Sequence, residues 1–139
     1  AHRPVRLRIV GAGAGPPLQR LASQAGVELI GPAPDLELWY RDAHIVIAPL
    51  RAGAGPFLTS LEALALGRPL VTTSIGAEGL ELEHGVQAML ADDPAPFATA
   101  TLRLLHGPAL AQQVAEAGHR LFLAQHTRPV LERILAPQH

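Results

Sequence analysis

An α/β fold in three layers, with a mostly parallel sheet between helices, is what this sequence predicts. Two observations carry that expectation. Short apolar or β-branched runs alternate with segments of helical periodicity along most of the chain. Each run ends in a cluster of Gly, Pro or Ser, and the helical segments are long enough to serve as the crossovers that parallel strands need. With 139 residues, 48% of them hydrophobic, the chain suffices for one domain with a substantial core.

The elements follow in order. VRLRIVG, from Val5 to Gly11, alternates and then turns apolar, as a strand does. PPLQRLASQAG, from Pro16 to Gly26, puts Leu18, Leu21, Ala22 and Ala25 on one helical face, and Gly26 stops it. VELIG is a short strand. Asp35 is placed to cap the helix DLELWYRDA, on which Leu36, Tyr40 and Ala43 share a face with Trp39 beside it. HIVIAPL is a β-branched run ended by Pro49. A helix then opens near Pro56 and closes at Gly67, and RPLVTT reads as a buried strand. AMLA is a weak last strand. DDPAPFATATLRLLHG is a helix with acids at its N-terminus. PALAQQVAEAGHRLFLAQH and RPVLERILAP are two further helices, so residues 108–139 form the C-terminal helical part of a single domain over 1–139.

Composition removes several classes of chemistry. The net charge is −1, which gives no electrostatic reason to bind nucleic acid or an anionic membrane. No apolar run reaches membrane-spanning length, so no transmembrane segment is expected. AHRPVRLRIV is too short in its apolar part and too rich in arginine for a signal peptide, and a cytoplasmic location is expected. Cysteine is absent, which excludes disulfides and thiol catalysis. Lysine is absent too, and all 11 basic residues are arginine. That excludes a P-loop lysine and Schiff-base chemistry. The seven histidines show neither HxH nor HExxH spacing, and no metal or cofactor is expected.

In parallel sheets ligands bind at the carboxyl ends of the strands. The loops at 11–15, 31–34, 49–56 and 73–79 therefore matter. GAGAGPP follows a strand, but its third glycine comes one residue early for a dinucleotide fingerprint, and no acid closes the next strand. A plain strand-to-helix turn accounts for it. RAGAGPFLTSLEALALG says more. Gly53 and Gly55 are able to expose backbone N–H groups, and the following helix N-terminus attracts phosphate. Arg51 stands beside them. Glu62 lies five residues beyond Phe57, about 8 Å along a helix axis, which is roughly the offset from a diphosphate to a sugar diol. A carboxylate accepts two hydrogen bonds at once. The competing reading is a solvated helix residue. Against it, Leu58, Leu61, Ala65 and Leu66 surround Glu62 with apolar side chains.

In TSIGAEGLELEHG, Ser74, Gly76 and Gly79 read as a flexible loop, and Glu78, Glu81 and Glu83 as a solvated rim. His44 is expected to be half exposed at a strand start. His84, His106, His119 and His126 are expected on the surface. No Ser-His-Asp set assembles.

RLRIVGAGAG, LIGPAPDLELWYRDAHIVIAPLRAGAG, LEALALGRPLVTTSIGAEGL and GVQAMLADDPAPFATA together resemble the C-terminal half of a retaining, group 1 glycosyltransferase with the GT-B fold. Ala48 to Leu80 is the most specific part. The resemblance implies a Rossmann-like domain that holds a nucleotide-sugar donor without a metal, while a missing N-terminal domain binds the acceptor. It implies bacterial polysaccharide biosynthesis, a glycan or lipid-linked acceptor, and retention at the anomeric carbon. It gives Glu62 the donor ribose hydroxyls, and Gly53, Gly55, Pro56, Phe57 and Leu58 the diphosphate and sugar. Gly31, Pro32 and Ala33 would lie against the base. Gly11 and Gly13 would line the cleft.

The departures point elsewhere. Many members carry a second glutamate where this chain has Ala54. The branch it is most similar to follows its glycines with Thr-Arg-x-Lys, where Pro56, Phe57 and Thr59 stand here. Family domains also begin with a strand-helix unit that this chain lacks. VRLRIV would then pair with HIVIAPL, or another chain would fill the gap, which favours self-association, or the chain is a fragment, inactive on its own. A non-catalytic interaction domain that has lost the donor is the alternative these losses favour. A receiver-like signalling domain is a third, weaker rival, since the acidic cluster and the lysine that such chemistry needs are missing.

Overall fold

The computed structural model describes residues 5–10, 19–20, 23–30, 36–49 and 58–125. The chain divides into two units, Ala1–Leu36 with Pro137–His139, and Glu37–Ala136. In the first unit β1 (Leu7–Val10) and β2 (Val27–Ile30) pair in parallel, with Leu7 opposite Val27. Gly26 sits between the preceding turn and β2 at φ +86, and a Cβ there would come within 2.9 Å of the Val5 carbonyl. Glycine is therefore required here on both conformational and steric grounds, in the turn of residues 23–26 that leads into β2 rather than as the last residue of a helix. Gln19 and Arg20 are helical, as expected for that segment.

The second unit holds α1 (Leu36–Asp42) apart from its first residue, β3 (Val46–Ala48), α2 (Leu58–Ala65), β4 (Leu70–Thr72), β5 (Met89–Leu90), α3 (Pro94–His106) and α4 (Pro108–Gln125). Its sheet is parallel in the order β3-β4-β5, with Val46 opposite Leu70 and Val71 opposite Met89. Pairing of the first strand with the run ending at Ala48 is not among the ladders of the described residues; β1 pairs with β2.

Side chains alternate across this sheet, and both faces are buried, as a parallel sheet requires. Val46, Ala48 and Leu70 point to one cluster, with Ala63, Leu64 and Ala65 of α2, Leu80, Ala88 and Phe122. Val71 and Met89 point to the other, with Ala100 and Leu104 of α3 and Val114 of α4. Helix α4 thus serves both faces. Gly118 permits its close approach: a Cβ there would lie 2.7 Å from Leu64 Cδ2 and 2.8 Å from the Gln87 carbonyl oxygen.

The helix ends follow local chemistry. Gly67, at φ +66, closes α2; its N–H donates to Leu64 O and that of Arg68 to Ala63 O, a Schellman pattern. Pro94 and Pro108 stand at first-turn positions, where a missing N–H costs nothing. Asp93 is the N-cap of α3 without a side-chain cap bond, so its charge acts there through the helix dipole. The C-terminal run RPVLERILAP and the cap expected from Asp35 lie outside the described residues. Strict alternation of strand and helix breaks between β4 and β5, where the connection is a run of turns.

Candidate functional site

Helix α2 starts at Leu58, on the carboxyl side of β3, and puts Glu62 in its second turn. Glu62 is 9% exposed, which excludes the solvated reading. Burial pushes its carboxyl above the ordinary range, and a hydrogen bond with Tyr40 works in the opposite direction. Tyr40 comes from α1 and packs against the Ala63–Leu64–Phe122 cluster. Its phenol is driven well above the usual value by burial first and by the Glu62 charge second; a bond with Thr59 opposes this and one with Glu62 adds to it. Thr59 and Glu62 are three residues apart on α2, so both lie on the side that meets Tyr40. Two oxygens of a carboxylate offer about four lone-pair sites, and Tyr40 occupies one.

A second polar group gathers where β3, β4 and β5 end. Thr72 Oγ1 donates to Ala48 O at 3.0 Å and accepts from Ser60 Oγ at 3.3 Å; Thr72 and Ser60 are fully buried. Gly76 closes over them, its N–H on Thr73 Oγ1 at 3.1 Å. A Cβ at Gly76 would lie 2.0 Å from Thr72 Oγ1. Gly76 therefore serves contact rather than flexibility, correcting the expectation for that loop. Ser74 donates to Asp92 twice, from its N–H at 2.8 Å and from Oγ at 2.7 Å, tying the loop two residues after β4 to the loop two residues after β5.

Those two bonds hold the exposed Asp92 carboxyl below the usual carboxylate range. A depressed folded-state pKa gives stability that is present above the unfolded value of about 3.9 and is lost as pH falls through the folded one. Asp92→Asn is expected to lower the melting temperature at pH 6 and to match the wild type near pH 2. Melting curves across that range check it; parallel curves would contradict it.

Of the other residues singled out, Leu58 is the first residue of α2. Arg51, Gly53, Ala54, Gly55, Pro56 and Phe57 lie outside the described residues, as do Gly31, Pro32, Ala33, Gly11 and Gly13. Glu78, Glu81 and Glu83 are exposed as expected, although Glu81 accepts a bond from Gln125 at 2.8 Å. His44 is exposed just ahead of its strand. His119 is not a surface residue: it is half-buried, with Nδ1 3.1 Å from Leu64 O. His84 precedes β5, and its Nδ1 accepts the Leu90 N–H at 2.9 Å. His126 lies outside the described residues. Sequence reasoning placed Tyr40 on a core face and missed its bond to Glu62. The available signal was a phenol on an apolar face, which needs a polar partner once buried. Among the described residues no three His, Asp or Glu converge as a metal site, and no helix is long and apolar enough to cross a membrane.

Comparison with known proteins sets this geometry in a family. A family model described as glycosyl transferases, group 1, matches residues 1–107. A D-inositol 3-phosphate glycosyltransferase of Thermobispora bispora is 34% identical over 127 residues, covering 78% of this chain and 29% of that protein. The chain spans less than a third of the length of the curated relatives it matches. Among solved structures, Anabaena HepE in complex with UDP superimposes with a TM-score of 0.74 at 19% identity, over 95% of this chain and 40% of that one. The C-terminal domain of the group 1 protein LpcC from Francisella tularensis gives a TM-score of 0.65 at 20% identity, over 81% of this chain and 60% of that one.

Proposed function

The chain belongs to the group 1 glycosyl transferases, as a C-terminal domain of the GT-B fold, and on that premise we propose that it binds the nucleotide-sugar donor. The observation that carries the proposal is Glu62, a carboxylate on α2 buried among apolar side chains, with acceptor capacity left over among the described residues. Burying a charge with so few partners is costly unless a ligand completes them. A ribose diol supplies two O–H donors. The N–H groups of the first turn of α2 then lie toward the diphosphate and stabilise the charge that develops as it leaves. HepE, of the same fold, holds UDP, which supports a uridine nucleotide as the first ligand to try.

In the whole protein the sugar passes to a glycan or lipid-linked acceptor with retention, in a cytoplasmic setting. A second domain holds that acceptor, and the 139-residue chain binds the donor without transferring the sugar.

The experiment is a thermal-shift titration with UDP, GDP and ADP on wild type, Glu62→Ala and Glu62→Gln. One nucleotide is expected to raise the wild-type melting temperature by several degrees; saturation at 100 times Kd is worth about 2.7 kcal/mol. Both variants lose that rise. Glu62→Gln keeps the shape and removes the buried charge, so without ligand it melts no lower than wild type. No shift with any nucleotide at millimolar concentration favours the interaction domain instead.

A further inference from the structure

We infer that Ser60 and Thr72 are positioning residues of this site: their hydroxyl relay pins the acid-bearing helix to the ends of two strands and so sets where the Glu62 carboxylate stands. The inference rests on the donor-binding reading above. Ser60 Oγ donates to Thr72 Oγ1 at 3.3 Å, and Thr72 Oγ1 donates to Ala48 O at 3.0 Å. One relay thus joins the first turn of α2, the last residue of β4 and the last residue of β3. Ser60 and Thr72 are both out of reach of solvent. Thr72 spends its one proton on Ala48, so towards the helix it accepts, and Ser60 donates. Gly76 closes over the relay from the other side: a Cβ there would stand 2.0 Å from Thr72 Oγ1 and 3.4 Å from Ser60 Oγ.

Packing alone would be satisfied by an apolar residue at position 72, since its strand neighbours Leu70 and Val71 are apolar and fully buried. A buried hydroxyl is costly unless it is bonded. Here its bonds go to β3 and α2, the two elements that flank residues 49–57. The C-terminal end of α2 is held separately, by Ala63, Leu64 and Ala65 in the core and by His119 on the Leu64 carbonyl. Apolar burial has no preferred direction, and two of those three side chains are single methyl groups. A hydrogen bond weakens steeply once its angle is lost, so it resists turning of the helix as well as separation. Among the described side chains of the first turn, Ser60 alone is fully buried, and it stands two residues before Glu62. A glutamate carboxylate lies about 6 Å from a helix axis, so a turn of about 10° moves it about 1 Å. That is enough to spoil two hydrogen bonds to a diol at once.

Thr72→Val keeps the branched shape and removes both bonds; Ser60→Ala removes the bond from the helix alone. UDP affinity of the folded protein is measured by calorimetry well below the melting temperature, beside GDP and ADP. It is expected to fall about tenfold in Thr72→Val and by a few fold in Ser60→Ala. Wild type is expected to bind UDP more tightly than 2′-deoxy-UDP, and that preference narrows in both variants because the displaced carboxylate no longer meets the diol. Thr72→Ser is able to remake the relay and is expected to keep the wild-type affinity and preference. Val114→Ala is the control for stability alone: it thins the cluster on the opposite face of the sheet and is expected to lower the melting temperature while moving neither readout. Should Thr72→Val and Ser60→Ala behave like Val114→Ala, while Glu62→Ala abolishes binding, the positioning role is overturned and the donor-binding reading stands. No binding of any of the three nucleotides by wild type overturns both. Should Thr72→Val fail to fold, Ser60→Ala decides, and unchanged affinity there overturns the inference.

Discussion

Phe122→Ala is expected to lower stability by about 3–5 kcal/mol, the usual cost of emptying a buried aromatic site. Phe122 is 1% exposed and joins α4 to Ala63, Leu64 and Ala65 of α2 and to Leu70, Leu80 and Ala88. Three of those neighbours are alanines. A methyl group has no rotamer by which to swing into a void, so the surroundings relax little and the loss falls toward the upper end of that range. A domain of this size has about 5–15 kcal/mol in total. Denaturant titration should show the midpoint falling with little change in slope. A loss below about 1 kcal/mol would mean that α4 does not hold α2 through this ring.

Gly76→Ala is expected to cost about 2–4 kcal/mol although it adds only a methyl group. The new Cβ would stand 2.0 Å from Thr72 Oγ1 and 3.4 Å from Ser60 Oγ. Thr72 cannot yield cheaply. It is β-branched, fully buried in β4, and its hydroxyl is bonded to Ala48 O and Ser60. Turning it away strands buried polar groups, and leaving it in place forces the backbone to move. A double-mutant cycle with Thr72→Ala isolates the cause. Removing Oγ1 makes room, so the double variant should be less destabilised than the sum of the two single changes. Strict additivity would locate the damage elsewhere.

Features set by neighbours in sequence were open to inspection before any coordinates. Gly67 ends α2 where periodicity ends, and both it and Gly26, in the turn before β2, take positive φ. The β-branched runs at 46–48 and 70–72 became strands because both faces of a parallel sheet are apolar, which leaves a continuous signal. The acid among leucines and alanines at 62 announced a buried carboxylate, since a helix face of that composition turns inward. What sequence hid was what tertiary contact decides. The bond from Tyr40 joins residues of different helices, and no local pattern states which phenol meets which acid. The glycines after β4 suggested looseness by composition, whereas Thr72, four residues earlier, fixes Gly76. His119 looked like any polar helix residue until the Leu64 carbonyl in the last turn of α2 came within its reach.

Along α4 the freedom to vary is unevenly distributed. Glu116 and Arg120 face solvent, and many residue types would serve at either place. Between them Gly118 faces a wall made by Leu64 and the Gln87 carbonyl, with no room for even one carbon. Mutational drift is therefore closed off at this one position between two open ones, and the hydrogen atom at its centre is as much a requirement of the acid-bearing helix as any residue upon it.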